Sequence, residues 1–390
     1  MIRNRSKPNE NGKPLEQPGN GQPSGQPSGR SESGRLSGQP SGHSDTGRLP
    51  GTWGQGQPEG RPGKDRAPGR PGNAQPVERP AGSPEPEGVL GVWKPAGWTS
   101  HDVVAKARRL IGVRRIGHAG TLDPAVTGVL PLCVGRATRL VEFLQELPKS
   151  YEAVVVFGVA TDTDDLTGRV VEEADASALT GEEIRRAIAS FEGEQEQLPP
   201  MVSAVRVDGK RLYEYAREGR TVERKPRRIT IHEIRTLDVE TGVPRPRARF
   251  RIRCSKGTYI RSLCADIGRK LGVPASMAEL VRTESAGLKK EHCVDLDRLA
   301  VLAKEGRLAE VLLPGDRLLT HLPAVTANRR AASGALHGRA LDPADLEGGF
   351  MHADRFRLYG QEGEFIGIFR FDHARGAAVP VKVMGRPQDG

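Results

Sequence analysis

The sequence is poor in cysteine and has no long apolar run. Its four cysteines, Cys133, Cys254, Cys264 and Cys293, are widely spaced and form no CxxC pair. That pattern argues against a zinc site and against a disulfide framework, and it fits a reducing cytoplasm. No apolar stretch reaches the roughly 18 residues that a membrane-spanning helix needs. The opening MIRNRSKPNENGKP lacks the apolar segment of a secretory signal, so no targeting peptide is expected. Neither a GxGxxG fingerprint nor a Walker loop is present, which removes the common nucleotide-binding signatures.

The first 87 residues are short of the apolar side chains that build a core. They hold 17 Gly and 15 Pro but only five Leu, Ile, Val or Phe. Such a segment cannot bury enough surface to offset chain entropy, so a disordered tail is expected. Its crude repeats, such as GQPSGQPSG at 21–29, are too short and too polar for a solenoid. The formal charge is +10 over 390 residues, of which the tail carries +3 and residues 88–390 carry +7. This surplus is compatible with a polyanionic partner but does not establish one.

Order is expected to begin at GVLGVWKP, residues 88–95, which reads as a first strand. Ser100 is a candidate cap for a helix whose Val103, Ala107, Leu110 and Ile111 share one face and which Gly112 closes. GVLPLCV at 128–134 and YEAVVVFGV at 151–159 read as strands, and ATRLVEFLQEL at 137–147 as a helix. VDGK at 207–210 carries the Asp-Gly signal of a tight hairpin. RARFRIRCS at 247–255 alternates basic and apolar residues, as a half-buried strand would, and YIRSLCADIGRKLG at 259–272 reads as its companion helix. Beyond residue 312, the pieces FRLYG, EFIGIFRF and AVPVKVM between Gly-rich turns point to a small β domain.

The loop GHAGTLDPAVTGVLPLCVG at 117–135 carries the most chemical information. On local chemistry alone, Asp123 before Pro124 is also what an ordinary helix cap or turn looks like. The loop resembles the signature of TruB-type tRNA pseudouridine synthases, in which the aspartate of GHxGTLDP is catalytic. Four further segments are similar to that family in order and spacing: KPAGWTSHDVV at 94–104, KSYEAVVVFGVATDTDDLTG at 149–168, DGKRLYEYAREG at 208–219 and CSKGTYIRSLCADIG at 254–268.

The resemblance implies an α+β fold: a pseudouridine synthase catalytic domain with a central mixed sheet over residues 88–311, then a small β-barrel-like, PUA-type RNA-binding domain over 312–390. It implies conversion of a T-loop uridine in tRNA to pseudouridine with Asp123 as the catalytic carboxylate. No atoms enter or leave in that isomerisation, so no cofactor is required and no metal is expected. Tyr151 is expected to stack on the flipped base, Arg261 to pair with Asp123, and Tyr259 and Leu280 to wall the uracil. His118 is expected to enter the T-loop and fill space that flipped bases vacate.

The expected partner is the T-arm of tRNA, met by a stand-alone, monomeric, cytoplasmic enzyme. The competing readings are a non-catalytic tRNA-folding chaperone on the same scaffold and a guide-dependent synthase within a complex. The stripe Arg247, Arg249, Arg251 and Arg253 is either a phosphate contact or a solvated strand face. Asp162, Asp164 and Glu173 match three positions of a calcium loop, but Leu166 and Thr167 stand where a ligand and Gly are needed, so a metal is rejected. Val202 and Arg206 depart from the family's PxxYSAxK pattern, which bears on one wall of the pocket.

Overall fold

The structure is a computed structural model that describes residues 85–203 and 205–385. The reading of the tail lies outside the described residues, apart from 85–87, which run irregularly into the first strand. The chain then follows the order β1 (Gly88–Lys94), α1 (Ser100–Ile111), β2 (Ile116–His118), β3 (Thr127–Val134), α2 (Val141–Glu146), β4 (Lys149–Phe157), β5 (Val159–Thr161) and β6 (Val170–Glu173). Next come α3 (Gly181–Ala189), β7 (Gly193–Gln197), β8 (Arg206–Val207), β9 (Lys210–Arg211), α4 (Leu212–Arg217), β10 (Arg227–Glu240), β11 (Arg247–Cys254), α5 (Ile260–Leu271) and β12 (Ala275–Ser285). The last part holds β13 (Leu288–Lys289), β14 (Cys293–Val294), α6 (Leu296–Lys304), β15 (Leu312–Leu313), β16 (Ala324–Ala327), α7 (Arg329–Leu336), β17 (Leu346–Glu347), β18 (Phe356–Tyr359), β19 (Phe365–Asp372) and β20 (Ala377–Val383).

Among the described residues the main sheet has 11 strands in the order β14-β1-β3-β12-β4-β11-β10-β7, with β2, β13 and β15 attached to it. It is mixed: β12 meets β3 in parallel but β4 antiparallel. The β4 run KSYEAVVVF is buried along almost its whole length because both faces are covered. On one side it joins β11 and α5 in a core with Phe157, Phe250, Ile252, Leu263 and Ile267. Each such aromatic or aliphatic side chain contributes about 1.5–3 kcal/mol by leaving water. Alternation in β11 is as the sequence predicts, with Ala248, Phe250, Ile252 and Cys254 buried between arginines.

Helix α1 starts one residue earlier than the Ser100 cap would place it. Thr99 is the N-cap, in a reciprocal box with Asp102, and Gly112 closes the helix at φ 70°. Ser100 lies inside the helix, and its hydroxyl is taken up by the backbone of Leu122. The segment expected to be one helix over 137–147 is a 3-10 turn, Gly135–Leu140, followed by the short α2. Leu147 is extended because Pro148 follows it.

The second sheet has the order β17-β16-β18-β19-β20. A lone bridge from Leu341 to Ala378 carries the segment before β17 to the opposite edge strand, so the sheet curls toward closure. Helix α7 was not legible in RRAASGAL; it is held by the Asn328 cap and by the small buried residues Ala331, Ala332 and Ala335. Strand β15 pairs with β1 in the main sheet, so the second sheet begins only at β16. Ile368 and Met384 join Val89, Leu140 and Leu144 in one shared core, and Arg136 donates to the Met384 carbonyl at 3.1 Å.

Candidate active site

Asp123 sits in the loop between β2 and β3, where its neighbours are fixed and its own side chain is not buried. Leu122 and Val126 enter the core on either side, while the Asp123 carboxylate keeps 46% of its surface exposed. Leu122 N–H donates to the Ser100 hydroxyl at 2.9 Å, tying the loop to α1. The Pro124 carbonyl accepts from Gly97 N–H at 2.9 Å and from Lys94 Nζ at 3.0 Å. Lys94 is fully buried and also donates to the carbonyls of Pro95 and Trp98. Burial pulls its ammonium down to about 8, and the charge of Asp123 opposes that shift.

Arg261 approaches from the first turn of α5. Its Nε lies 3.1 Å from Asp123 Oδ2 and 3.8 Å from Asp165 Oδ2. Its Nη1 donates to Thr163 O at 3.0 Å and its Nη2 to Val202 O at 2.8 Å. The whole guanidinium fork is therefore occupied, which fixes its plane. Val202 contributes through its backbone, so the unusual side chain at that position does not alter this contact; Arg206 is exposed on β8.

The structure brings most of the sequence-predicted residues together. Tyr151 on β4 belongs to the same core cluster as Leu122 and Val126, and Leu280 on β12 packs against that cluster, opposite Ala153. Burial raises the Tyr151 phenol above its usual range. Tyr259 is the N-cap residue of α5. The buried Gln197 amide clasps its backbone, accepting from Tyr259 N–H at 2.7 Å and donating to Tyr259 O at 3.0 Å. His118 ends β2 and makes its ring contact with His101, edge-on at 5.4 Å between centroids. Its Nδ1 is buried without a hydrogen-bond partner among the described residues. Burial holds the imidazole at about 4, aided by His101 and the charge of Arg282.

Several residues in this machinery gave no sequence signal of their own. Lys94, Asp165, Gln197 and Arg282 read as a strand-end lysine, a turn aspartate, a polar strand residue and one arginine among many. Arg282 is 1% exposed and donates to the carbonyls of Val129, Thr121 and Gly120. Only the placement of Lys94 at the end of an otherwise apolar strand, before Pro95, could have marked a buried cation.

Other acidic and basic candidates are already engaged. Asp162 pairs with Arg169 and Glu173 with Arg245. Within the basic stripe, Arg251 pairs with Glu152 at 2.6 Å and Arg249 lies 3.7 Å from Glu279. Among the described residues no helix is long and apolar enough to cross a membrane.

Residues 108–260 match the family description "TruB family pseudouridylate synthase (N terminal domain)", and residues 261–320 match "tRNA pseudouridylate synthase B C-terminal domain". A protein of Symbiobacterium thermophilum named tRNA pseudouridine synthase B is 53% identical over 256 residues, covering 66% of this chain and 83% of the relative. Its namesake from Bacillus subtilis is 41% identical, covering 76% of this chain and 97% of the relative. Among solved structures, a chain of a Cbf5-Nop10-Gar1 complex superposes with a TM-score of 0.60 at 27% identity, covering 77% of this chain and 85% of that one. A chain of an H/ACA RNP bound to a substrate RNA containing 2'-deoxyuridine gives 0.60 at 25% identity, with 77% and 86% covered. The chain belongs to the TruB family of pseudouridylate synthases.

Proposed function

We propose that this enzyme converts the T-loop uridine of tRNA to pseudouridine, with Asp123 as its catalytic carboxylate. The observation that carries the reading is the Arg261–Asp123 ion pair, in which a buried guanidinium holds a half-exposed carboxylate toward open space. In the reaction the bond from uracil N1 to ribose C1′ breaks, the base turns, and C5 joins C1′. The proton on C5 leaves and N1 gains one, so the product is an isomer. A carboxylate at the sugar can serve as nucleophile at C1′ or as a base, and a half-exposed Asp123 suits either role.

The remaining roles follow from chemistry and position. A T-loop nucleotide is flipped at a cost of a few kcal/mol, less than in a paired duplex. Tyr151 offers the extruded uracil a ring to stack on, and Tyr259 and Leu280 close the walls. His118, kept neutral by burial, brings a flat ring with an unused nitrogen to replace lost stacking in the loop. The second sheet, which starts at β16, acts as a PUA-type RNA-binding domain, so its boundary lies after β15 and not at residues 311–312.

The enzyme acts alone, as a cytoplasmic monomer, on the T-arm. Relatives named tRNA pseudouridine synthase B are 41–53% identical, whereas the chains from Cbf5 and H/ACA assemblies are 25–27% identical, which favours the guide-independent reading. Mapping pseudouridine in unmodified tRNA after incubation with purified protein tests this. Pseudouridine at the T-loop uridine is expected; none in tRNA, or a requirement for a guide RNA, would overturn it.

A further inference from the structure

Arg282 is an arginine with an unusual set of partners. It is among the largest fully buried side chains, and no carboxylate among the described residues forms an ion pair with it. Its Nε donates to Val129 O at 2.8 Å, Nη1 to Thr121 O at 3.3 Å and Nη2 to Gly120 O at 3.0 Å. Gly120 and Thr121 lead directly into Asp123, and Val129 lies on β3 just beyond it. Gly120 has φ +125°, and a Cβ there would lie 3.4 Å from Arg282 Nη1, so the guanidinium packs directly on this turn. Gly128 has φ +117° and lets β3 approach the backbone of β12 at Arg282, where a Cβ would lie 2.2 Å from the carbonyl oxygen.

The same guanidinium has a second neighbour. Arg282 on β12 is the direct cross-strand partner of Tyr151 on β4, so the two side chains stand side by side on one face of the sheet, and the guanidinium charge acts on the phenol. Burying a cation without a counter-charge is costly, and an apolar side chain would fill such a space more cheaply if packing were the only requirement. What an apolar residue cannot do is hold three carbonyls with one rigid planar fork.

We propose that Arg282 is a positioning residue that ties the Asp123 loop to the strand pair carrying Tyr151, so that carboxylate and base-contacting ring keep a fixed separation through the reaction. Arg261 grips Asp123 by its side chain, and Arg282 grips the backbone that leads to it. This inference rests on the catalytic reading of Asp123 given above.

The test is a double-mutant cycle on the full chain with Arg282→Lys and Tyr151→Phe, read by single-turnover rate, tRNA affinity, circular dichroism and melting. Arg282→Lys keeps the charge and loses the fork. It is expected to lower the single-turnover rate at least about ten-fold while tRNA affinity stays within about three-fold and the fold is kept. In the Tyr151→Phe background the same substitution is expected to cost clearly less, because the phenol that stands beside the guanidinium is already gone. A folded Arg282→Lys protein with a near-normal rate, or losses that multiply independently, would overturn the inference. So would a fall in rate that only tracks lost helix signal. Should Arg282→Lys fail to fold, Arg282→Gln takes its place in the cycle with the same outcomes, since it keeps a polar donor and loses the fork. Failure of the underlying reading looks different: Asp123→Asn would then turn over tRNA with Arg282 intact.

Discussion

Arg261 Nε stands 3.1 Å from Asp123 Oδ2, yet the guanidinium side chain is 5% exposed and the carboxylate 46%. The cation is thus anchored in the protein while its anion faces outward. Thr163 and Val202 hold the other two corners of the guanidinium with their carbonyls. Lysine cannot span all of these positions at once. Arg261→Lys should therefore lower the single-turnover rate by about 10²-fold, the scale of a catalytic group misplaced by about 1 Å. A filter-binding assay beside the rate measurement should show tRNA affinity little changed. A rate near that of the wild type would show that the pair does not position Asp123.

Burial sets an expectation for His118. Its folded-state value is about 4 against an ordinary 6.5. The sign follows from linkage: above about 6.5 the ring is neutral in both folded and unfolded chains, and it contributes no pH dependence there. As pH falls from 6.5 toward 4 the unfolded chain takes up a proton that the folded chain refuses, so stability declines across that window. An imidazole NMR titration, assigned with a His118→Gln variant, should place the His118 inflection near 4. An inflection near 6.5 would contradict the buried, unpartnered ring.

Substrate binding should depend strongly on salt. The segment from β8 to the start of β10 carries Arg206, Lys210, Arg211, Arg217, Arg220, Arg224, Lys225, Arg227 and Arg228 against four acidic residues, Asp208, Glu214, Glu218 and Glu223. Each phosphate neutralised adds a slope of roughly −0.7 to −0.9 to log affinity against log salt. Fluorescence titrations at several salt concentrations should give a slope of several units. A flat response would remove the electrostatic account of tRNA binding.

Much of this was legible in the sequence because the pattern and its physics coincided. Period-two alternation marked β11, the Asp-Gly pair marked the β8–β9 hairpin, and the loop around Asp123 carried a family motif. The misreadings also have causes. Thr99 and Ser100 are both good caps, and only the demand of Leu122 for the Ser100 hydroxyl separates them. Helix α7 escaped because its buried face is alanine, which gives little hydrophobic contrast. Arg282 and Gln197 were invisible because their importance lies in backbone groups distant in sequence, Gly120 and Tyr259 among them. A single sequence does not display such contacts.

The central claim is that the Asp123 carboxylate performs the chemistry. Asn in its place preserves size and much of the hydrogen bonding but supplies neither an anionic nucleophile nor a base. On the proposed reading, binding rests on phosphate contacts and on the fit of the folded T-arm, so it should survive the change. The decisive measurement is tritium release from tRNA labelled at uracil C5, run on the wild-type and Asp123→Asn proteins beside a binding titration of both. The account predicts release at background for the Asn variant with affinity within a few-fold of the wild type. Near-normal release by that variant, as a mere turn residue would allow, would contradict it.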